Sequence, residues 1–392
     1  MKKALELAFI ALTVGLLAVP GLLTLKGKTL GDPLMGVAAD AKLPAIDTKG
    51  FWEETTQKGL NDWYVQHWST RPHAVRLDNS LSYWAFGESR PEKVVKIGKQ
   101  RVLWLHEMLW FVNRDDAPDV RRAAERFKRA QDLALAHEKA LVLVLLPSKW
   151  RFYADALPPD WTAPLGSSSE RPCDARVTTP FAEELTRIGA KFVDARKLLL
   201  DEFGIAKREV VYAATGRHLT GPAMCRVIDA AFAVARPLLP DFDVPSLDCR
   251  YEMRTDAPLD GDDYDLYRLI NVWSPRPRDP IPVMLAVEDR PAYENLPDTL
   301  FVGSSFVWRL IKETDRNHAL GETHTYYYNK TVFPWGAEQS TWPVAPGTDA
   351  WRELTLKKRL IIVDMPEEYL VDHNAEFLEQ LTKLLSETPV AE

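Results

Sequence analysis

The chain has 392 residues, 46% of them hydrophobic and 27% charged, which is ample for a globular core in one large domain or two. A net charge of −7 with no long Lys/Arg run excludes a nucleic-acid surface of the usual basic kind. The three cysteines, Cys173, Cys225 and Cys249, allow one disulfide at most and match no metal-site spacing; with no phosphate-binding glycine loop either, neither a metal nor another cofactor is expected.

Lys2 and Lys3 precede nineteen uncharged residues, Leu7–Leu25, close to the roughly twenty needed to cross a bilayer. Residues 1–25 are read as an uncleaved anchor with the lysines on the cytoplasmic side, in preference to a signal peptide cut near Ala38-Ala39-Asp40-Ala41. Either way the remainder is exported, and the expected location is the periplasm, tethered to the inner membrane. Residues 26–50, rich in Gly, Pro, Lys and Asp, form a linker without period.

From Phe51 to about Asn79 the aromatic and apolar residues recur at helical spacing. Lys93–Leu105 reads as two short strands around Gly98. Pro118 opens a long charged helix that ends near His137. The continuous apolar run Leu141–Leu146 follows, as expected of a strand buried on both faces. Lys191–Asp194, Leu300–Gly303 and Leu360–Asp364 give further strands of this kind, separated by helical stretches. The pattern predicts an α/β fold with a doubly wound parallel sheet and helices on both faces. Residues 51–392 are taken as one domain with insertions near 154–180 and 252–298, the second carrying Asp260, Asp262, Asp263 and Asp265. Many of the thirteen Trp, among them Trp63, Trp68, Trp161, Trp273 and Trp335, sit in polar company, which suits sugar faces as well as half-buried packing.

The chemistry centres on Thr299–Trp308. An apolar strand ending in Gly303-Ser304-Ser305 before a helical pattern is a turn that lifts a hydroxyl above the carboxyl edge of the sheet. Ser305 is the candidate nucleophile, because it is expected to start the following helix, where its own N–H faces a developing oxyanion. The plainer reading is that Ser304 and Ser305 cap that helix. Of eight histidines, His218 stands just before a helix opened by Thr220 and Pro222, and it is the candidate base. His318 and His324 are the alternatives.

In order along the chain, the Lys93–Leu105 hairpin, Val144–Lys149, Tyr212–Ala223, Val302–Phe306, Tyr327–Lys330 with Val332-Phe333, and Leu360–Asp364 followed by Glu367–Leu370 resemble the alginate O-acetyltransferase family of exported SGNH-hydrolase-like proteins, of AlgJ and AlgX type. The resemblance implies an SGNH-like fold and a Ser–His site in which the histidine precedes the serine. It also implies a polysaccharide substrate and a membrane-bound O-acyltransferase-type protein that supplies acetyl groups. Ser304, Tyr328, Asn329 and Arg217 are then expected to line the oxyanion or substrate site. The chain departs from the family at Gly216-Arg217-His218-Leu219, where the pattern has Asp-x-His-Trp, so the triad carboxylate is absent from its expected place. Either another acid replaces it (the Asp260–Asp265 loop is one source), or a Ser–His dyad works slowly, or the site is degenerate. Arg217 beside the imidazole is expected to disfavour its charged form. The function expected is O-acetyl transfer to, or removal from, an exopolysaccharide, with Ser305 as nucleophile and His218 as base. The alternative is a non-catalytic subunit that binds polysaccharide or assembles a secretion complex.

Overall fold

The computed structural model describes residues 2–37, 40–108, 119–162, 177–256, 261–273, 280–288, 293–336, 341–369 and 374–389. Pro118, Pro164, Ser167–Ser169, Cys173, Asp260, Pro275, Pro277 and His373 lie outside them. The chain divides into two compact units, Met1–Ile97 with Leu266–Arg276, and Gly98–Asp265 with Pro277–Glu392. Residues 51–97, grouped with the α/β domain by their sequence, fall in the first unit.

In the first unit the helix Lys2–Leu25 is long and apolar enough to cross a membrane, and Leu5, Phe9, Leu12 and Leu22 on it are exposed. Pro20 interrupts its hydrogen bonding. The Ser69 hydroxyl donates to the Pro20 carbonyl (3.0 Å) and the Ser69 N–H to Thr24 Oγ1 (2.9 Å), which pins the end of this helix to a turn farther along the chain. The helical stretch expected from Phe51 forms three helices, Thr48–Trp52, Thr55–His67 and Arg71–Leu81, broken where Glu54 adopts φ 61° and where Pro72 opens the last. A short strand, β1 (Val95–Ile97), ends the unit's first segment.

The second unit carries β2 (Leu103–Leu105), β3 (Ala140–Leu146), β4 (Phe192–Asp194), β5 (Tyr251–Arg254), β6 (Ile281–Met284), β7 (Thr299–Gly303), β8 (Thr323–Tyr327), β9 (Thr331–Pro334), β10 (Trp342–Pro343) and β11 (Leu360–Pro366). Seven of them form one sheet in the order β10-β9-β8-β7-β11-β3-β4. The five strands from β8 to β4 are parallel, as expected for a doubly wound α/β fold. The sheet is nevertheless mixed, because β9 and β10 are antiparallel additions beside β8. Successive side chains point to opposite faces. Leu141, Leu143 and Leu145 enter a core with Phe127, Phe181 and Leu381. Val142 and Val144, equally buried, turn to the other face, crossed by the helix Gly221–Ala235. That two-sided burial is why β3 and β11 read as unbroken apolar runs. A disulfide joins Cys225, on the Gly221–Ala235 helix, to Cys249 just before β5.

Trp161 is fully buried edge-on against Trp104, and Trp63 stacks on His67.

Candidate active site

β7 ends at Gly303, and the helix Val307–Arg316 begins four residues later. The expectation that Ser305 starts that helix is therefore corrected: Ser305 lies in the connecting turn, lifted above the carboxyl edge of β7. Gly303 has φ 152°, and a Cβ there would lie 1.8 Å from Asp364 Oδ1, so only glycine lets β7 run this close to the end of β11. Ser304 fills the space beneath. Its N–H donates to Asp364 Oδ1 and its hydroxyl to Asp364 Oδ2, both at 2.9 Å, and it is wholly buried. Ser304 thus supports the turn and does not line a substrate site as expected. Burial pushes the Asp364 carboxyl up to about 7, against the two hydrogen bonds from Ser304. Neither serine is the assigned cap of the following helix; Phe306 holds that position and makes no side-chain cap bond.

Ser305 Oγ is 2.7 Å from His218 Nε2. The imidazole arrives on the loop before the Gly221–Ala235 helix, which has Pro222 in its first turn and Thr220 at the N-cap position, the Thr220 hydroxyl donating to the Val210 carbonyl and making no cap bond. Its ring packs edge-on against Phe306 at 4.9 Å. On its far side Nδ1 is 2.8 Å from Asp265 Oδ2. Among the described residues Nδ1 nevertheless has no hydrogen-bond partner, so the two groups are in close polar contact without an aligned hydrogen bond. Such loose alignment is common before a substrate tightens the site. Serine, imidazole and carboxylate therefore form a contiguous Ser305–His218–Asp265 row, the geometry of an acyl-transfer triad.

Asp265 comes from the acidic insertion, not from position 216. The loop carrying it is held on three sides. Arg217 N–H donates to Asp265 Oδ1 (2.8 Å), and Thr215 Oγ1 donates to the Asp263 carbonyl (2.8 Å). The buried Arg309 guanidinium, on the helix after Ser305, pairs with Asp263 Oδ1 (3.1 Å) and Asp262 Oδ2 (3.4 Å). Gly216 is part of this arrangement. A Cβ at 216 would meet the carbonyl oxygens of Asp262 and Asp263 at 2.7 and 2.9 Å, so the backbone of the acid-bearing loop occupies the space that a side chain there would need.

Arg217 turns away from the imidazole to pair with Glu107 (2.9 Å) and the buried Glu368 (3.1 Å). Two carboxylates thus stand against the charge expected to oppose an imidazolium. Tyr328 and Asn329 both have positive φ, 49° and 55°, in the turn after β8. The Tyr328 N–H donates to the Gly303 carbonyl (2.8 Å), so that group is engaged in extending the β7–β8 ladder and is not an oxyanion donor. Asn329 Nδ2 is 3.5 Å from Asn374 Oδ1. Of the alternative bases, His318 lies just past the Val307–Arg316 helix and its Asn317 C-cap, and His324 lies within β8 near Glu322 (3.7 Å) with burial pulling its pKa down. Sequence reasoning left Asp265 as one of several carboxylates in the insertion; it is the first residue of a short helix, Asp265–Leu269, and its side chain is held by the Arg217 N–H, a tie that no local sequence signal reports. Among the described residues no group of His, Cys, Asp and Glu side chains is arranged to hold a metal ion.

No family model matches the chain, and no curated protein matches it. Its fold is similar to those of three solved structures. The O-acetyltransferase domain of Pseudomonas putida AlgJ is 17% identical over 74% of this chain and 98% of that one, with a TM-score of 0.43. Pseudomonas aeruginosa AlgX is 11% identical over 75% of this chain and 66% of that one (TM-score 0.44), and a DHHW family protein from Eubacterium siraeum is 11% identical over 66% and 88% (TM-score 0.37).

Proposed function

We propose that the chain is an exported acyl-transfer enzyme that moves or removes O-acetyl groups on a polysaccharide, with Ser305 as nucleophile, His218 as base and Asp265 as the orienting acid. The observation that carries this reading is the continuous row of contacts from Ser305 Oγ through the imidazole to Asp265, 2.7 and 2.8 Å. With Nδ1 protonated and facing Asp265, Nε2 accepts the hydroxyl proton as Oγ attacks the carbonyl carbon of an acetyl ester. The tetrahedral oxyanion lies toward the backbone N–H of Ser305. Collapse expels the donor alcohol, which takes the proton back from Nε2, and leaves Ser305 acetylated. A sugar hydroxyl then gives its proton to His218, attacks the acetyl carbonyl and restores the serine; water in its place makes the enzyme an esterase.

The polysaccharide assignment rests on the ordered sequence resemblance and on the aromatic surroundings of the turn. Trp308 packs against Phe333 (4.9 Å) and Tyr327 (5.4 Å) at the carboxyl edge of β7 and β8, and all three rings are partly exposed. Flat, partly exposed rings beside polar groups suit a pyranose face. The Lys2–Leu25 helix is the anchor that would hold the enzyme at the membrane, near a membrane-embedded acetyl donor. The alternative of a degenerate subunit draws on the missing acid at position 216, and Asp265 at 2.8 Å from the imidazole supports the enzyme reading over it. The test is hydrolysis of a chromogenic acetyl ester followed by transfer to polysaccharide. Wild type should be active while Ser305→Ala and His218→Ala are each inactive to a similar degree, since groups acting as a unit fail together. Wild-type turnover no faster than that of Ser305→Ala, with the acetyl donor protein present, would reject the enzyme reading.

A further inference from the structure

Lys149, the residue two positions after the Pro147 that follows β3, is fully buried, and among the described residues no carboxylate is bonded to it. Its Nζ donates to three backbone carbonyls: Leu103 (3.0 Å), Ala214 (2.8 Å) and Gly216 (2.8 Å). It also lies over the rings of Trp104 and Tyr153, at 5.6 and 5.5 Å. An ammonium has three N–H donors and a neutral amine two, so this cage of three acceptors is matched to the charged form. Two of the carbonyls belong to the loop that delivers His218.

The third link is the informative one. The Gly216 carbonyl that accepts from Lys149 shares its peptide group with the Arg217 N–H, and that N–H donates to Asp265 Oδ1 at 2.8 Å. One rigid, planar peptide therefore stands between the buried ammonium and the carboxylate facing the imidazole. A cation on its oxygen polarises the peptide and strengthens its N–H as a donor, as in any chain of hydrogen bonds in a low-dielectric interior.

We propose that Lys149 is a positioning residue for the acid of the triad, acting on Asp265 through the Gly216–Arg217 peptide. The proposal rests on the reading of Ser305, His218 and Asp265 given above. Burial lowers the pKa of Lys149 to about 7, and the charge of Asp265 opposes that fall. The other nearby charges have partners of their own: Arg217 pairs with Glu107 and Glu368, and Arg208, stacked 4.4 Å over Tyr153, pairs with Asp155. As pH rises through about 7 Lys149 loses its proton, and with it one of three donors and the polarising charge.

The test reads the reactivity of Ser305 directly, without a natural substrate. The full chain in detergent is treated with a fluorophosphonate; Oγ attacks phosphorus, fluoride leaves, the hydroxyl proton passes to His218, and labelling is followed by intact mass. Wild-type labelling no faster than that of His218→Ala would remove the triad reading and this proposal with it. Given His218-dependent labelling, Lys149→Met is expected to slow the reaction roughly tenfold in the wild-type background but less than about twofold in an Asp265→Asn background. Lys149→Arg, which keeps charge and donors, should recover most of the rate. An equal loss in both backgrounds would mean that Lys149 only supports the fold, and would overturn the proposal. Should Lys149→Met fail to fold, the native lysine supplies the measurement. The ratio of wild-type to Lys149→Arg labelling rates, with His218 and Asp265 the same in both proteins and the arginine charged throughout, should fall from pH 6 to pH 8.5 as Lys149 loses its proton near pH 7; a ratio that stays flat would overturn it.

Discussion

The two halves of the candidate site are built on different principles. The serine half is a product of the sheet. β7 and β11 are adjacent parallel strands, Gly303 lets them approach, and Ser304 is locked onto Asp364 beneath the turn that carries Ser305. Gly303, Ser304 and Asp364 are buried, and Gly303 and Asp364 belong to strands of the sheet, so that only the short turn bearing Ser305 stands outside regular structure. The acid half is assembled from a loop. Asp265 reaches the imidazole because Arg309, Thr215 and the Arg217 N–H each hold one point of the segment that bears it. A nucleophile on a sheet edge needs little beyond correct packing, whereas an acid supplied by an insertion needs a set of specific polar ties and room to enter.

The largest effect that tests this contrast is Asp265→Asn. If the loop acid orients His218, esterase kcat should fall roughly 10²- to 10⁴-fold while the fold is retained, because an amide cannot stabilise the imidazolium or hold its tautomer. A change below about threefold would show that the serine half works as a dyad. Next in size is Gly216→Asp. Restoring a carboxylate at the position familiar from related motifs looks like a gain, yet its Cβ would strike the Asp262 and Asp263 carbonyls at 2.7 and 2.9 Å. The expected result is a loss of roughly ten- to a hundredfold in kcat, since displacement of a catalytic group by about 1 Å is enough for that. A rise in rate would show that the loop can withdraw without penalty.

The smallest effect falls on the serine half and appears in stability. The buried Asp364 has its folded pKa raised from 3.8 to about 7. The folded state therefore binds a proton that the unfolded state releases, so the stability from this group is present below pH 4 and is lost as pH rises toward 7. Asp364→Asn, which can still accept from the Ser304 N–H, should abolish that decline, worth up to about 4 kcal/mol, and leave Ser305 reactivity nearly unchanged. Denaturant midpoints measured from pH 4 to 8 on both proteins check it; parallel curves would exclude Asp364 as the titrating group.

The same contrast explains what was legible in the sequence. β3, β7 and β11 are strands with both faces buried, and such strands leave continuous apolar runs such as Leu141–Leu146. Ser305 could be singled out because a strand, a glycine and a serine in succession have few structural meanings. β8, with the sequence Thr-His-Thr-Tyr-Tyr, could not be read as a strand: it has no apolar run, and it is held by pairing with β7 on one side and the antiparallel β9 on the other, neighbours that periodicity does not report. Asp265 was one carboxylate among several in a stretch without period. What selects it is a hydrogen bond from a peptide N–H far back in the chain, together with the absence of a side chain at Gly216. Lys149 is hidden for the opposite reason, as a charged residue at a strand end that reads as surface but is enclosed by three carbonyls and two rings.

The position of β11 sets a timetable for the whole molecule. It is the last strand in the sequence, yet it lies between β7 and β3 and pairs with both. Until it arrives, β3–β4 and β7–β10 are half-sheets with no ladder joining them, each presenting an open edge. The joining contacts are among the longest-range in the chain, and such contacts form late. β11 also brings Asp364, the residue on which Ser304 and hence the serine turn rest. In a chain synthesised from its N-terminus, the Ser305 turn is therefore without its support until Leu360–Pro366 has been made, and the site cannot form before the sheet closes.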